Sequence, residues 1–324
     1  MGRRRSKGRK TYLRIIEATG LPVASKTQTI MLSDAHIHFI PHELSVHTSF
    51  YKGIWTGKEK LYEFLDKHSI EKALLVYPST DAYLKIGSGK ECQIYNSAIE
   101  QILNENKKII ASGILNLDDL ANAAKEIEEL KNKGFASINL PSSYKGKFII
   151  EELDEVFQAA GKFNLPVFIH PQTINPIGFE RVKDPLLMPV LEYSFDISMC
   201  LGLLMMNEVF DKYDTKFIFS SLSGIIPFLS SRFDRVYSML RKREIVKDLG
   251  KLPTQILKNV YVDTSGATLK NIELALDLFG QDHILWGSDY PVNSNVEENL
   301  GMLDSLGKDL REKITSKNLL SLFE

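Results

Sequence analysis

The sequence predicts an α/β protein built as a single (β/α)8 TIM barrel, and three features indicate this class. Short apolar runs alternate along the chain with amphipathic stretches of helical period, a rhythm typical of parallel sheets joined by crossover helices. Several runs lack the apolar–polar alternation of a half-exposed strand, as parallel strands covered on both faces do. The chain contains eight strand-like apolar runs in all, a number that favours a closed barrel over an open doubly wound sheet.

The predicted strands are rich in β-branched and apolar residues and are spread over the whole chain beyond residue 30. In order, they are 31–39, 72–78, 108–116, 135–141, 165–171, 216–222, 259–265 and 283–291. Three intervening stretches, 117–134, 151–164 and 266–280, carry apolar residues at helical spacing. The longest additional segment, 172–197, is rich in proline, which predicts a loop or short helices over the barrel mouth.

The composition is that of an ordinary globular protein and argues against several classes of function. The chain has 324 residues, of which 44% are hydrophobic and 25% are charged, and its formal net charge is −1. With this balance we expect no nucleic-acid partner and no membrane partner. Two distant cysteines form no disulfide framework and favour a cytoplasmic protein. No glycine-rich phosphate fingerprint follows any strand, which argues against nucleotide binding.

The first 30 residues differ from the rest because arginine and lysine dominate the opening "MGRRRSKGRK". No apolar segment of secretory type follows, so we do not interpret this leader as a signal peptide. A basic arm for nucleic acid or anionic surfaces is one interpretation, and a disordered tail or a start codon placed too early are alternatives that we favour. We therefore expect the barrel domain to span 31–324, with the basic leader 1–30 outside it.

Four metal-ligating side chains fall at the ends of predicted strands. His36 and His38 close strand one, and residues two apart on a strand point to the same face. His170 closes strand five and Asp289 closes strand eight. Because active sites of such barrels form at the C-terminal ends of the strands, we expect these side chains to meet at one rim. Three imidazoles and a carboxylate suit one divalent transition metal.

Several segments of the chain resemble those of the amidohydrolase-related family, in the family's order. This is the branch of the amidohydrolase superfamily that contains aminocarboxymuconate-semialdehyde decarboxylase and related aromatic-acid decarboxylases. The matching segments are "DAHIHF", "FIHP", "LSGIIPFLSSRFDR", "NVYVDTSGA" and "ILWGSDYP". The resemblance runs from about Met31 to the C-terminus and implies that His36, His38, His170 and Asp289 hold one metal. It also implies a homodimer.

One position departs from the family pattern. The family's sixth strand usually ends in an apolar run, then histidine, then Leu-Gly-Gly, whereas this chain has "IFSSLSG", which places Ser221 at the histidine position. A serine hydroxyl donates a hydrogen bond but does not accept and return protons near neutral pH as imidazole does. His42 and His47, on the first loop, are the nearest remaining histidines, and neither is an evident substitute.

These residues predict a metal-dependent hydrolase as the first function. The metal, zinc with manganese or iron as alternatives, would activate a water, and Asp289 would take its proton, so that a small-molecule substrate, an ester, lactone or amide, is cleaved. The alternative is non-oxidative decarboxylation of an aromatic or unsaturated carboxylic acid. This reaction needs a proton donor, and Ser221 is a weaker donor than the histidine that it replaces. A second alternative is a catalytically silent barrel that binds metal or a ligand.

Other residues are candidates for supporting roles near the rim. Phe39, Tyr193 and Tyr290 are aromatic candidates for binding the substrate. Asp34 is a candidate to orient a histidine ring, whereas Asp263 is expected to cap the helix after strand seven.

Two arginines and one cysteine complete the candidates. Arg232 and Arg235 could meet a substrate carboxylate or pair on a helix surface. Cys200, within an apolar helix, is expected in the core.

Overall fold

The computed structural model describes residues 31–177 and 184–324. The predicted leader, 1–30, therefore lies outside the described residues, as do 178–183. Eight parallel strands form one sheet whose spatial order follows the chain. They are β1 (Leu32–Ile37), β2 (Ile70–Leu75), β3 (Ile109–Ile114), β4 (Ser137–Pro141), β5 (Val167–His170), β6 (Phe217–Phe219), β7 (Tyr261–Asp263) and β8 (Ile284–Leu285).

The residues at β8 and beyond return to β1 and close the sheet. The Ala35 amide donates a hydrogen bond to the Trp286 carbonyl at 2.7 Å, and the His38 amide donates to the Tyr290 carbonyl at 2.7 Å. The Asp289 amide donates to the carbonyl of His36 at 2.9 Å. The predicted (β/α)8 barrel is therefore confirmed, and its closing seam runs through three of the predicted metal ligands, His36, His38 and Asp289.

Helices connect consecutive strands, as the parallel order requires. The α-helices are α1 (His42–Ser45), α2 (Lys58–Lys67), α3 (Tyr83–Ile86), α4 (Ser88–Glu105), α5 (Ala123–Asn132), α6 (Asp154–Lys162), α7 (Tyr193–Met206), α8 (Val209–Lys212), α9 (Ile226–Arg241), α10 (Pro253–Ile256), α11 (Leu269–Phe279), α12 (Val296–Gly301), α13 (Lys308–Glu312) and α14 (Asn318–Phe323). Apolar side chains of the longer helices pack on the strands and form the main core. A smaller buried cluster contains Phe168 of β5 and Leu319 of α14.

The segment 172–197, predicted as a loop or short helices, contains the beginning of a longer helix. A π-helical stretch, Met188–Glu192, continues directly into α7. The joined helix Met188–Met206 is long and apolar enough to cross a membrane by length and composition, a test that core helices of soluble proteins also pass. Here Cys200 and its apolar neighbours on α7 are buried in the core, as predicted for Cys200. The absence of a membrane partner stays a prediction.

Candidate metal centre

The C-terminal ends of β1 and β5 bring three imidazole rings together. The His36 and His38 rings are 4.7 Å apart between centroids, and the His170 ring lies 5.4 and 5.2 Å from them. One ring nitrogen from each histidine lies within 4.8 Å of the others, and all three residues are buried. The alternation of side chains on β1 thus directs His36 and His38 to one point, as the sequence predicts.

The hydrogen bond made by the outward-facing nitrogen of each ring determines which nitrogen carries the proton. The Nδ1 atoms of His36, His38 and His170 lie 2.8, 2.9 and 2.8 Å from oxygen acceptors on Asp263, Val76 and Pro171. Because these partners are acceptors, each Nδ1 carries a proton, and in the neutral form of each ring the Nε2 lone pair points inward.

The inward-facing Nε2 atoms of neutral rings repel one another unless a proton or a metal cation lies between them. The Nε2 atoms of His36 and His38 are only 3.0 Å apart. Asp289 Oδ1 lies 3.2 Å from Nε2 of His38 and 3.7 Å from Nε2 of His36. Three nitrogen lone pairs that face one point, with a carboxylate oxygen beside two of them, are donors that suit a divalent transition metal. The three histidines therefore fit the predicted metal, and Asp289 lies beside His36 and His38 as its predicted fourth ligand.

The local charges also favour a cation. Burial lowers the pKa of His36, but the carboxylates of Asp263, Asp289 and Asp34 outweigh burial and raise that pKa to about 9. Burial lowers the pKa of His38, and burial together with the neighbouring histidines lowers that of His170 well below its usual range. His38 and His170 are therefore neutral at physiological pH, which is the form of histidine that binds metals.

Asp263 holds His36 and does not cap a helix, which corrects the sequence-based expectation. Its Oδ2 accepts from His36 Nδ1, and its Oδ1 accepts from the amide and hydroxyl of Ser265 at 2.9 and 2.6 Å. Burial raises the pKa of Asp263, but His36 and Ser265 outweigh burial and hold it below the usual value. Thr268 is the residue that caps the following helix, α11.

Asp34 does not touch a histidine ring, which corrects the second expectation about carboxylates near His36. Its Oδ1 accepts from the backbone amides of His36 and Ser288, both at 3.0 Å. Asp34 therefore fixes the backbone of the β1–β8 seam rather than the orientation of an imidazole.

Gly287 leaves the space in which His36 and Asp263 meet. A Cβ atom at this position would lie 2.8 Å from Cβ of His36 and 3.4 Å from the Asp263 side chain. A Cβ contact of 2.8 Å is closer than two carbon atoms normally approach. The glycine of "WGSD" is therefore required by the close approach of β8 to the His36 side chain.

Ser221 begins a strained turn after β6. Ser221, Leu222 and Ser223 have φ values of 50°, 54° and 60°, the left-handed region that costs a non-glycine residue about 1–2 kcal/mol. The Ser221 amide donates to Asp263 Oδ1 at 3.0 Å, and its hydroxyl lies 3.1 Å from that of Ser265. The turn thus places the Ser221 hydroxyl in the pocket, and Asp263 links it to His36.

A pocket of about 1110 Å³ opens above the three histidines. Of the predicted substrate-binding residues, Tyr193 lines this pocket. Phe39 lies in the core, and Tyr290 stacks on Phe64 with ring centroids 4.1 Å apart.

The remaining candidate residues lie elsewhere on the surface. The side chains of Arg232, Arg235 and His42 are exposed, and His47 is half-buried. None of these four is among the described residues that line the pocket, so none of them replaces the histidine missing at Ser221.

Three of the lining residues that were not predicted from the sequence lie in or near the contacts of His36 and His38. Ser265 lies two positions after Asp263, and its hydroxyl donates a hydrogen bond to the Asp263 carboxylate. Tyr51 and Trp55 form an aromatic wall, with the Trp55 ring 5.7 Å from that of His38. The aromatic cluster "FYKGIW" after strand one was the available signal for this wall, because the segment after strand one has to cross the barrel mouth.

Comparison with known structures finds the same barrel in several decarboxylases. The 5-carboxyvanillate decarboxylase of Sphingomonas paucimobilis matches with a TM-score of 0.79 at 15% identity, over 91% of this chain and 99% of that one. The enzyme of the same name from Novosphingobium aromaticivorans, complexed with manganese and 4-hydroxy-3-methoxy-5-nitrobenzoic acid, gives 0.78 at 20% identity, over 92% and 97%. The 2,6-dihydroxybenzoate decarboxylase from Rhizobium gives 0.74 at 18%, over 90% and 98%.

At these identities the structural likeness establishes the fold. The family is established by sequence, because a family model described as amidohydrolase matches residues 33–323. The match includes β1 to β8 and every candidate ligand, and it confirms the resemblance recognised in the strand-end segments. The chain belongs to the amidohydrolase family.

Proposed function

We propose that this protein is a metal-dependent carboxy-lyase that removes CO₂ from an aromatic or unsaturated carboxylic acid. One observation carries the proposal: three imidazole nitrogens meet in a largely apolar pocket, with the Asp289 carboxylate 3.2 Å from the nitrogen of His38. The likeness to decarboxylase structures over nearly the whole barrel supports it. The hydrolase expected first from the sequence becomes the second candidate.

His36, His38, His170 and Asp289 would hold the metal. When bound, a divalent metal supplies positive charge that binds and orients the carboxylate of the substrate. Manganese accompanies one similar decarboxylase structure, whereas the sequence alone favours zinc, and a nitrogen–oxygen donor set accepts either.

Asp289 is the residue that we assign to proton transfer. Its side chain lines the pocket and is 25% exposed, so both solvent and a bound acid can reach it. A proton from Asp289 adds to the carbon that bears the carboxylate. The bond from that carbon to the carboxylate then breaks, its electron pair returns to the unsaturated system, and CO₂ leaves. The Asp289 carboxylate takes its next proton from solvent, so each cycle consumes one proton and releases one CO₂.

Ser221 orients the substrate in this scheme and transfers no proton. Its hydroxyl lies at the pocket surface beside the hydroxyl of Ser265, where it can donate a hydrogen bond to a substrate oxygen. The left-handed turn and the Ser221 amide bond to Asp263 hold this hydroxyl in place.

Hydrolysis of an ester, lactone or amide is the second candidate because Ser221 replaces the family's strand-six histidine. Hydrolysis needs a proton acceptor near the attacking water, and Asp289 provides one. Decarboxylation needs a proton donor to carbon, a role in which imidazole is more effective near neutral pH than a serine hydroxyl.

The test is to incubate the metal-loaded protein with two panels of compounds. One contains hydroxybenzoic and unsaturated carboxylic acids, and the other contains lactones and aryl esters. We expect CO₂ release equal to product formation and, in D₂O, one deuterium at the carbon that lost the carboxylate. Asp289→Asn should lower this rate by about 10²–10⁴-fold. New acid from the lactones or esters, with no CO₂ from the acids, would establish the hydrolase instead.

A further inference from the structure

Exposed apolar side chains encircle the mouth of the pocket. They come from segments that follow β1, β2, β5, β6, β7 and β8, and each also lines the pocket. We call them the collar: Phe50, Leu84, Val190, Phe228, Leu274 and Val292. Their exposure is high for large apolar residues, with 79% of Phe228, 70% of Phe50 and 64% of Val292 accessible to solvent.

Single exposed apolar residues are common on protein surfaces, but a contiguous group around a cavity marks a binding site. The collar shares its pocket with the apolar side chains of Trp55, Met188 and Ile197, and the Trp55 ring lies 5.7 Å from that of His38. Apolar side chains therefore line the pocket both beside the histidines and at its exposed mouth.

The pocket is larger than a single-ring acid requires. Its volume of about 1110 Å³ exceeds the range of about 300–1,000 Å³ that is typical of pockets for drug-sized ligands. An acid held at the floor by the metal ligands and Ser221 would leave the upper wall and the collar exposed to water. A ligand that reached the collar would remove this apolar surface from water, which is favourable.

We propose that the substrate acid carries an extended apolar substituent, alkyl or aryl, that runs up the pocket and ends against the collar. The inference rests on the proposed function, because it places the acid group of the substrate on the metal centre. The collar residues line the cavity itself, so the part of the substrate that leaves the metal centre meets them directly. The described collar offers no charge to bind a second acidic group there.

The test measures binding and does not depend on turnover. The probes are 4-alkyl-2-hydroxybenzoates with alkyl chains from methyl to octyl, titrated calorimetrically into the metal-loaded protein below their micelle concentrations. We expect Kd to fall by about fourfold for each added methylene until the chain passes the collar, because each methylene leaves water. A Kd that is independent of chain length would overturn the inference.

Two collar variants and one matched control locate the subsite. Phe228→Ser and, from another side of the mouth, Val292→Ser should weaken octyl binding by about tenfold and leave methyl binding within about twofold. Met239→Ser alters an exposed apolar residue of the same helix as Phe228, α9, that does not line the pocket, and should change neither value. Equal losses in Met239→Ser would overturn the assignment of the tail to the collar.

Three further outcomes are distinguishable. If Phe228→Ser alters sedimentation or pelleting with phosphatidylcholine vesicles while chain-length dependence is unchanged, the collar is an interface and the inference is wrong. If the methyl compound loses CO₂ but chain length has no effect, the inference fails and the proposed function stands. If the octyl compound binds tightly through the collar but no member of the series loses CO₂, the apolar subsite stands and the carboxy-lyase proposal fails.

Discussion

Nδ1 of His36 lies 2.8 Å from Oδ2 of Asp263, although the two residues belong to β1 and β7 and are 227 positions apart in the chain. The contact directs the other ring nitrogen of His36 toward the metal site and places a negative charge behind it. Asp263 also accepts from the Ser221 amide, so one carboxylate positions a candidate metal ligand and a pocket hydroxyl.

Loss of the Asp263 charge should weaken metal binding. Asp263→Asn keeps an oxygen acceptor for His36 but removes the charge, and we expect metal affinity to fall by about 10–100-fold in chelator competition. Asp34→Asn is the matched control, because Asp34 is equally buried but its carboxylate contacts Ser288 and the His36 amide and no imidazole, and it should lower affinity by less than about threefold. Equal losses in both variants would show that buried charge, and not the contact with the ring, sets the affinity.

A methyl group at Gly287 should displace His36. Because the added Cβ would lie 2.8 Å from that of His36, Gly287→Ala should shift the ring and lower metal affinity by at least about tenfold. Gly301→Ala, at a helical position with no atom within 4 Å of the added methyl group, should leave affinity unchanged and stabilise α12 slightly. Metal titration of the two variants checks this, and full affinity in Gly287→Ala would contradict the packing argument.

Ser221 should matter less than Asp289. Ser221→Ala removes a hydrogen bond worth about 0.5–1.5 kcal/mol, so we expect no more than about a tenfold loss of rate. Ser221→His restores the family's residue and should raise decarboxylation more than hydrolysis, because imidazole delivers protons near neutral pH. Steady-state rates on both substrate panels measure these effects. A collapse in Ser221→Ala equal to that in Asp289→Asn would require a serine nucleophile or relay.

Glu91 should make the fold less stable as pH rises. Burial raises its pKa from 4.5 to about 7, although the hydroxyls of Tyr77 and Thr80 donate to it. Between these values the folded state holds more protons than the unfolded state, so the free energy of unfolding falls with rising pH, by about 3 kcal/mol in total. The pKa of Asp34 is likewise raised by burial to about 7, so its contribution has the same sign.

Glu91→Gln should therefore reduce the slope of stability against pH between 4.5 and 7 without abolishing it. Urea unfolding at several pH values measures this slope. Glu59→Gln, at an exposed position, is the control and should leave the slope unchanged. An unchanged slope in Glu91→Gln would show that the buried carboxyl does not titrate in this range.

The sequence was sufficient to predict the barrel and the convergence of four side chains on one rim. Strand parity places His36 and His38 on one face, and parallel topology brings His170 and Asp289 to the same end of the barrel. The orientation of the supporting carboxylates was not predictable, because it depends on the room that neighbouring residues leave for each side chain. Asp263 reaches His36 only because Gly287 lacks a side chain, whereas Asp34 turns its carboxylate toward backbone amides.

The residues of the pocket wall could not be predicted from the sequence pattern either. Phe39 and Tyr290 come soon after the ends of β1 and β8, yet both pack in the core. Tyr193 lies far from a strand end in the sequence, yet it lines the pocket. The aromatic wall comes instead from Tyr51 and Trp55, within the long segment between β1 and α2. Which aromatic residue faces the cavity is decided by how that segment folds back over the barrel, and periodicity gives no information about such a path.

Anomalous diffraction from crystals loaded with zinc tests the central claim most directly, because it locates the metal independently of activity. We predict one peak at the floor of the pocket, about 2.0–2.2 Å from Nε2 of His36, His38 and His170 and from a carboxylate oxygen of Asp289. His170→Ala should lose the peak while the barrel stays folded. A peak bound by other residues, or full occupancy in His170→Ala, would contradict the assignment of the metal centre.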